Sequence, residues 1–176
     1  MPNDGPHLRV GWEAYHRAIE RLALQVHASG WKFDHVLCLA RGGLRPGDVF
    51  SRIFGVPLAV LATSSYREDG GTTQGALNIA RHVTTSGGPL SGRVLLIDDL
   101  VDSGVTLDEV RRHLSMHFPA VTEVRTAVIW YKACSVAEPD FYLEYLPENP
   151  WIHQPFEEYD GMDPDQLAVR LEGTRE

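Results

Sequence analysis

Four apolar residues, Val94-Leu95-Leu96-Ile97, run without a break into two acids, Asp98 and Asp99. A strand with no polar face has to be covered on both sides. The run therefore predicts the central strand of a mainly parallel sheet with helices on each face. Two apolar residues later comes Asp102-Ser103-Gly104-Val105-Thr106, and apolar spacing then predicts a helix over about 106–117. Such a turn offers consecutive backbone N–H groups, two hydroxyls and the start of a helix, which are the parts of an anion cradle. In open α/β sheets that position, beyond the carboxyl end of a strand, is where ligands bind.

The rest of the chain agrees with this class. Trp12, Tyr15, Ile19, Leu22, Ala23 and Val26 recur at helical spacing and predict a helix over 11–28 that stops at Gly30. Strands are expected at 33–40, 57–62, 93–97, 123–130 and 141–146, with a helix over 46–54 that tolerates Pro46 in its first turn. Strands alternating with helices imply a doubly wound sheet. Residues 63–92 turn rich in Ser, Thr and Gly and read as a mobile excursion, and a short helix is expected near 163–171. At 176 residues, 1–176 reads as one domain.

Charge and cysteine usage exclude several functions. The net charge is −8, and it is concentrated: from Glu138 onward there are 11 acidic and 2 basic residues, while the first 137 hold 13 and 14. No basic stripe is available to neutralise phosphates, so a nucleic-acid partner is not expected. No apolar run approaches the ~20 residues that cross a bilayer. Cys38 and Cys134 are too few for a disulfide framework or a zinc cage, and the expected setting is the reducing cytoplasm.

Three predicted strand ends carry polar or Gly-rich sequence: Arg41-Gly42-Gly43, Asp98 to Thr106, and Lys132. Gly42 lets backbone N–H groups turn toward an anion by dropping the Cβ. Asp98 and Asp99 suit sugar hydroxyls or Mg²⁺, which takes few carboxylates and completes its shell with phosphate oxygens and water. Lys132 stands out because the chain has 14 Arg and 2 Lys. An ammonium is a compact donor suited to a single oxygen. Trp151 lies between Asn149-Pro150 and Pro155, which places it in a loop rather than a core.

The stretch Val94 to Thr106 resembles the phosphoribosyl-pyrophosphate signature of the type I phosphoribosyltransferases: apolar run, two acids, two apolar residues, then Asp-Ser/Thr-Gly-x-Thr. Ala40-Arg41-Gly42-Gly43-Leu44 is similar to the pyrophosphate loop of the purine branch that includes the xanthine-guanine enzymes. Trp151-Ile152-His153-Gln154-Pro155-Phe156 is similar to that branch's base-binding segment, and the order fits over residues 8 to 157.

The resemblance implies transfer of a phosphoribosyl group to guanine, xanthine or hypoxanthine in purine salvage, with pyrophosphate released, Mg²⁺ as cofactor, and a homodimer or homotetramer. It implies phosphoribosyl-pyrophosphate binding by Arg41, Gly42, Asp98, Asp99, Asp102, Ser103, Gly104, Val105 and Thr106, with Asp98 and Asp99 also toward the metal. Asp102 becomes the general base at N7 of the purine, Lys132 the donor to the oxygen at position 6, and Trp151 and Ile152 the stacking face and backbone edge. It implies a flexible lid over about 63–92 and a small base-binding hood over about 133–160. The lid's match starts at Thr63-Ser64-Ser65-Tyr66 and decays at Gln74-Gly75, leaving Arg67 and Arg81 as candidate phosphate contacts. His153 stands where that branch has an acid. Two alternatives are a non-catalytic nucleotide-binding regulator on the same fold, and an enzyme for another base, which would lack Lys132 and the Trp151-Ile152 segment.

Overall fold

A computed structural model describes residues 5–65 and 77–172. Strand β1 (His7–Arg9) leads into helix α1 (Trp12–Ala28), whose buried Tyr15, Ile19, Leu22, Ala23 and Val26 form one stripe. Then follow β2 (His35–Ala40), α2 (Leu44–Phe54), β3 (Leu58–Ser65), β4 (Leu77–Ile79), β5 (Thr84–Thr85) and β6 (Gly92–Val101). The chain continues through α3 (Val105–His117), β7 (Val121–Lys132), β8 (Phe141–Leu146), β9 (Trp151–His153), a 3₁₀ turn (Pro155–Tyr159) and α4 (Pro164–Glu172).

The main sheet has the order β4-β3-β2-β6-β7-β8, with β5 also paired to β3. All pairs from β3 across to β8 are parallel, and β4 and β5 join antiparallel. Period-two alternation sends Val36, Cys38, Leu95, Ile97 and Ile129 to a core shared with α1 and Phe50 of α2. Leu37, Leu39, Leu96 and Val128 go to the opposite core under Leu107, Val110 and Leu114 of α3. Helices thus cover both faces, as a doubly wound α/β sheet requires.

Three features refine the sequence reading. The excursion 63–92 is not wholly apart from the core. Thr63 pairs with Ile79, Ala59 with Thr85, and Leu90 is buried, so its described ends extend the sheet. Edge pairing satisfies backbone groups whatever the side chains are, and polar composition hides it. The stretch 133–160 expected to form the hood contains β8, the last strand of the main sheet. Third, β1 was not expected. It pairs in parallel with β9, Leu8 opposite Ile152, and a three-residue strand is too short to show periodicity.

Candidate active site

The sheet runs from β2 outward to β3 and then returns to place β6 on the other side of β2. That reversal makes the carboxyl ends of β2 and β6 a switch point, where a crevice opens between the diverging connections. Three loops meet there: residues 40–44, 98–106, and the segment after β9.

Asp102, Ser103 and Gly104 bridge β6 to α3, so the N-terminus of a 13-residue helix faces the turn. Gly104 has φ +80°, and a Cβ on it would come within 2.7 Å of the Ala137 nitrogen. Both facts require glycine here. The Val136 N–H donates to the Ser103 carbonyl at 3.0 Å, pinning the turn from the β7–β8 connection. A pocket of about 70 Å³ opens on it, lined by Asp98, Asp102, Gly104 and Thr106 among others. Backbone donors and a helix N-terminus around so small a space suit one phosphate group. Ser103 stands in this turn and Val105 is the first residue of α3.

Asp98 is half-buried and Asp99 buried at the end of β6. Asp98 Oδ1 accepts the Asp99 N–H at 3.0 Å, and Asp99 Oδ1 accepts the Leu100 N–H at 2.7 Å. Gln154 Nε2 donates to Asp99 Oδ2 at 2.5 Å. Burial, then the neighbouring Asp99 charge, pushes the Asp98 carboxyl well above its usual range. Burial also raises Asp99, partly opposed by the Gln154 and Leu100 donors. The loop after β2, with a cis peptide at Ala40–Arg41, passes directly over this pair. A Cβ on Gly42 would sit 2.5 Å from Asp99 Oδ1, so Gly42 is required by close approach. Arg41, Gly42, Asp98, Asp99 and Thr106 line one cleft of about 630 Å³, together with Thr63, Arg45, Gln154 and Phe156.

Lys132, at the end of β7, is buried, and its Nζ lies 3.4 Å from Oδ1 of the exposed Asp102. The Cys134 Sγ is 3.5 Å from that same oxygen. Trp151 is 48% exposed. Ile152 buries its side chain in the core with α1. Trp151 donates to Pro6 O at 2.9 Å and His153 O accepts from Val10 at 3.0 Å. The alternation of a parallel ladder then turns the N–H and C=O of Ile152 away from β1. Lys132, Trp151 and Ile152 lie outside the lining of the 630 Å³ cleft. Arg81 is exposed and outside it too, and Arg67 lies outside the described residues.

Sequence reasoning gave no role to Gln154 and Phe156, which it named only within the base-binding segment, and missed Arg45. The Arg45 guanidinium stacks 4.4 Å from the Phe156 ring centre, closing one wall of the cleft. His153 shares a hydrogen bond with His7 across 2.8 Å, so β1 holds the segment that carries Trp151. No spacing rule links residues so distant in sequence.

A family model described as the phosphoribosyl transferase domain matches residues 11–160. A purine phosphoribosyltransferase from Pyrococcus horikoshii is similar at 28% identity and TM-score 0.67, over 85% of this chain and 93% of that one. A xanthine-guanine-hypoxanthine phosphoribosyltransferase from Helicobacter pylori aligns at 24% identity and TM-score 0.72, over 93% and 98%. A hypothetical protein from Neisseria gonorrhoeae, solved with bound ppGpp, aligns at 23% identity and TM-score 0.69, over 98% and 99%.

Proposed function

The chain belongs to the phosphoribosyl transferase family, and from that premise we propose that it moves a phosphoribosyl group from phosphoribosyl pyrophosphate to a 6-oxopurine. The observation that carries the choice of base is the 3.4 Å approach of Lys132 Nζ to Asp102 Oδ1. O6 and N7 lie side by side on one edge of guanine. A donor and an acceptor this close match a carbonyl oxygen next to a protonated ring nitrogen. The similarity to purine enzymes from Pyrococcus and Helicobacter supports the same class.

In this reading the 5′-phosphate rests on the Asp102–Thr106 turn and the N-terminus of α3. Asp98 and Asp99 hold the ribose hydroxyls, and the Arg41-Gly42 loop receives the pyrophosphate. The bond from the anomeric carbon to the pyrophosphate oxygen breaks with its electron pair leaving on oxygen, and the base nitrogen N9 bonds to that carbon. Positive charge builds on the ribose as this happens, next to two carboxylates. Asp102 accepts the N7 proton, while Lys132 donates to O6.

Mg²⁺ fits beside Asp98 and Asp99, because two adjacent carboxyl groups line the cleft and offer the hard oxygen donors it takes. Bound there with the substrate, it would neutralise charge on the departing pyrophosphate. Among the described residues no group of three or more His, Cys, Asp or Glu gathers as a metal site. The two carboxylates would therefore share the ion with pyrophosphate oxygens and water.

Steady-state rates with guanine, xanthine, hypoxanthine and adenine test the proposal. Turnover of at least one oxopurine with adenine far behind is expected. Adenine as the best substrate would overturn the choice of base, and no turnover of any base would overturn the catalytic reading.

A further inference from the structure

We propose that Gln154 is a positioning residue that locks the Asp99 carboxylate in its working orientation. Gln154 is 5% exposed, and its Nε2 donates to Asp99 Oδ2 at 2.5 Å across 55 residues of chain. Oδ1 of the same carboxylate is taken by the Leu100 N–H at 2.7 Å. Gly42 backs onto that oxygen so tightly that a Cβ there would sit 2.5 Å away. The carboxylate is thus fixed by a main-chain donor on one oxygen, a side-chain amide on the other, and a loop against its edge.

Of these holds, only the Gln154 amide comes from the segment that carries Trp151 and Ile152. Gln154 follows β9, and its carbonyl accepts the Glu157 N–H at 3.0 Å, which seats the residue at the start of the 3₁₀ turn. Among the described residues its buried Oε1 has no hydrogen-bond partner. A buried amide leaves a polar atom unsatisfied at a free-energy cost, and a Leu or Met of similar size would avoid it. The amide contributes the charge-assisted donor to Asp99, which an apolar side chain cannot supply.

The inference rests on the phosphoribosyl-transfer reading, in which Asp99 holds the ribose of phosphoribosyl pyrophosphate. Its consequence is an unequal effect on the two substrates. Gln154→Met keeps the volume and removes the donor. It is expected to raise KM for phosphoribosyl pyrophosphate by on the order of tenfold to a hundredfold, the scale of a hydrogen bond to a charged group. KM for the purine should stay within about threefold.

A thermodynamic cycle separates positioning from plain packing. In the Asp99→Asn background, Gln154→Met should add almost nothing, because the carboxylate it orients is gone. Should Gln154→Met fail to fold, Gln154→Glu, which sets a carboxylate against Asp99, is measured in the same cycle and should weaken phosphoribosyl pyrophosphate more than purine. Equal losses for both substrates, or undiminished losses in the Asp99→Asn background, would overturn the proposal. A wild-type protein that turns over no purine would instead strike the functional reading on which it rests.

Discussion

At the scale of single residues, the site turns on one close ion pair whose members have opposite surroundings. Lys132 is sunk beside the sheet while Asp102 is open to solvent. Asp102→Asn keeps the backbone of the turn and removes the proposed proton acceptor. It should lower kcat by about 10²–10⁴-fold while nucleoside monophosphate binding, followed by calorimetry, survives. A near wild-type kcat would remove the general-base role. Lys132→Met should raise KM for every accepted oxopurine far more than KM for phosphoribosyl pyrophosphate, since on the proposed reading it removes the donor to O6. The two cysteines offer a chemical check on the same geometry. Burial pushes Cys38 up to about 11, whereas Cys134 is exposed, its thiol raised too by partial desolvation and the neighbouring Asp102 carboxylate. A disulfide reagent should titrate one thiol in the native protein, and its adduct on Cys134 should block turnover. Cys134→Ser should protect against the reagent. The positions of Asp102 and Lys132 were legible in sequence, because one follows β6 and the other ends β7, while the roles proposed for them come from the resemblance. Gln154 was not, since only the folded chain brings it to Asp99.

Elements show the same division between what local pattern reveals and what tertiary pairing decides. Strands β2, β6 and β7 and helices α1 and α3 follow from apolar spacing, which burial enforces directly. Strands β1, β4, β5 and β9 span two or three residues each, too few for periodicity, and exist through the partner that pairs with them. The purine-edge role given to Ile152 depends on that pairing. Its side chain belongs to the core with α1, while its backbone is turned away from β1. Ile152→Val should therefore cost about 0.5–1.5 kcal/mol of stability, measured by urea unfolding, and leave KM for the base unchanged. A large change in base KM would mean that the side chain itself forms the contact. The Arg41-Gly42 loop makes the opposite case, where the backbone leaves no room. Gly42→Ala pushes a methyl group onto Asp99 and should depress kcat/KM for phosphoribosyl pyrophosphate with little change in base KM.

The whole molecule gathers much of its negative charge after residue 138, yet the electrostatic tension that matters most lies inside it, at Asp98 and Asp99. Both carboxyls are raised above their usual value of 3.8, first by burial, and Asp98 next by its neighbour. The folded protein therefore holds these protons more tightly than the unfolded chain does. Where the folded state binds more protons, stability falls as pH rises. The loss begins above the unfolded carboxyl value near 4 and continues until the pair has ionised in the folded state. Asp98→Asn removes the most strongly raised group and should melt a few degrees higher than wild type at neutral pH in EDTA. The gap should close as pH approaches 4, where both proteins are neutral at this position. Calorimetric melting from pH 4.5 to 8 checks this, and a variant less stable than wild type across that range would contradict it. On the proposed function the same variant should be nearly inactive, because the burial of two carboxyls that weakens the fold without ligands is what a bound cation and a positively charged ribose would offset. A site that stores charge in this way gives up stability in the absence of ligands and recovers it when they bind. Mg²⁺ with pyrophosphate should accordingly raise the melting point of wild type more than that of Asp98→Asn, and equal increments for the two would detach the metal from this pair.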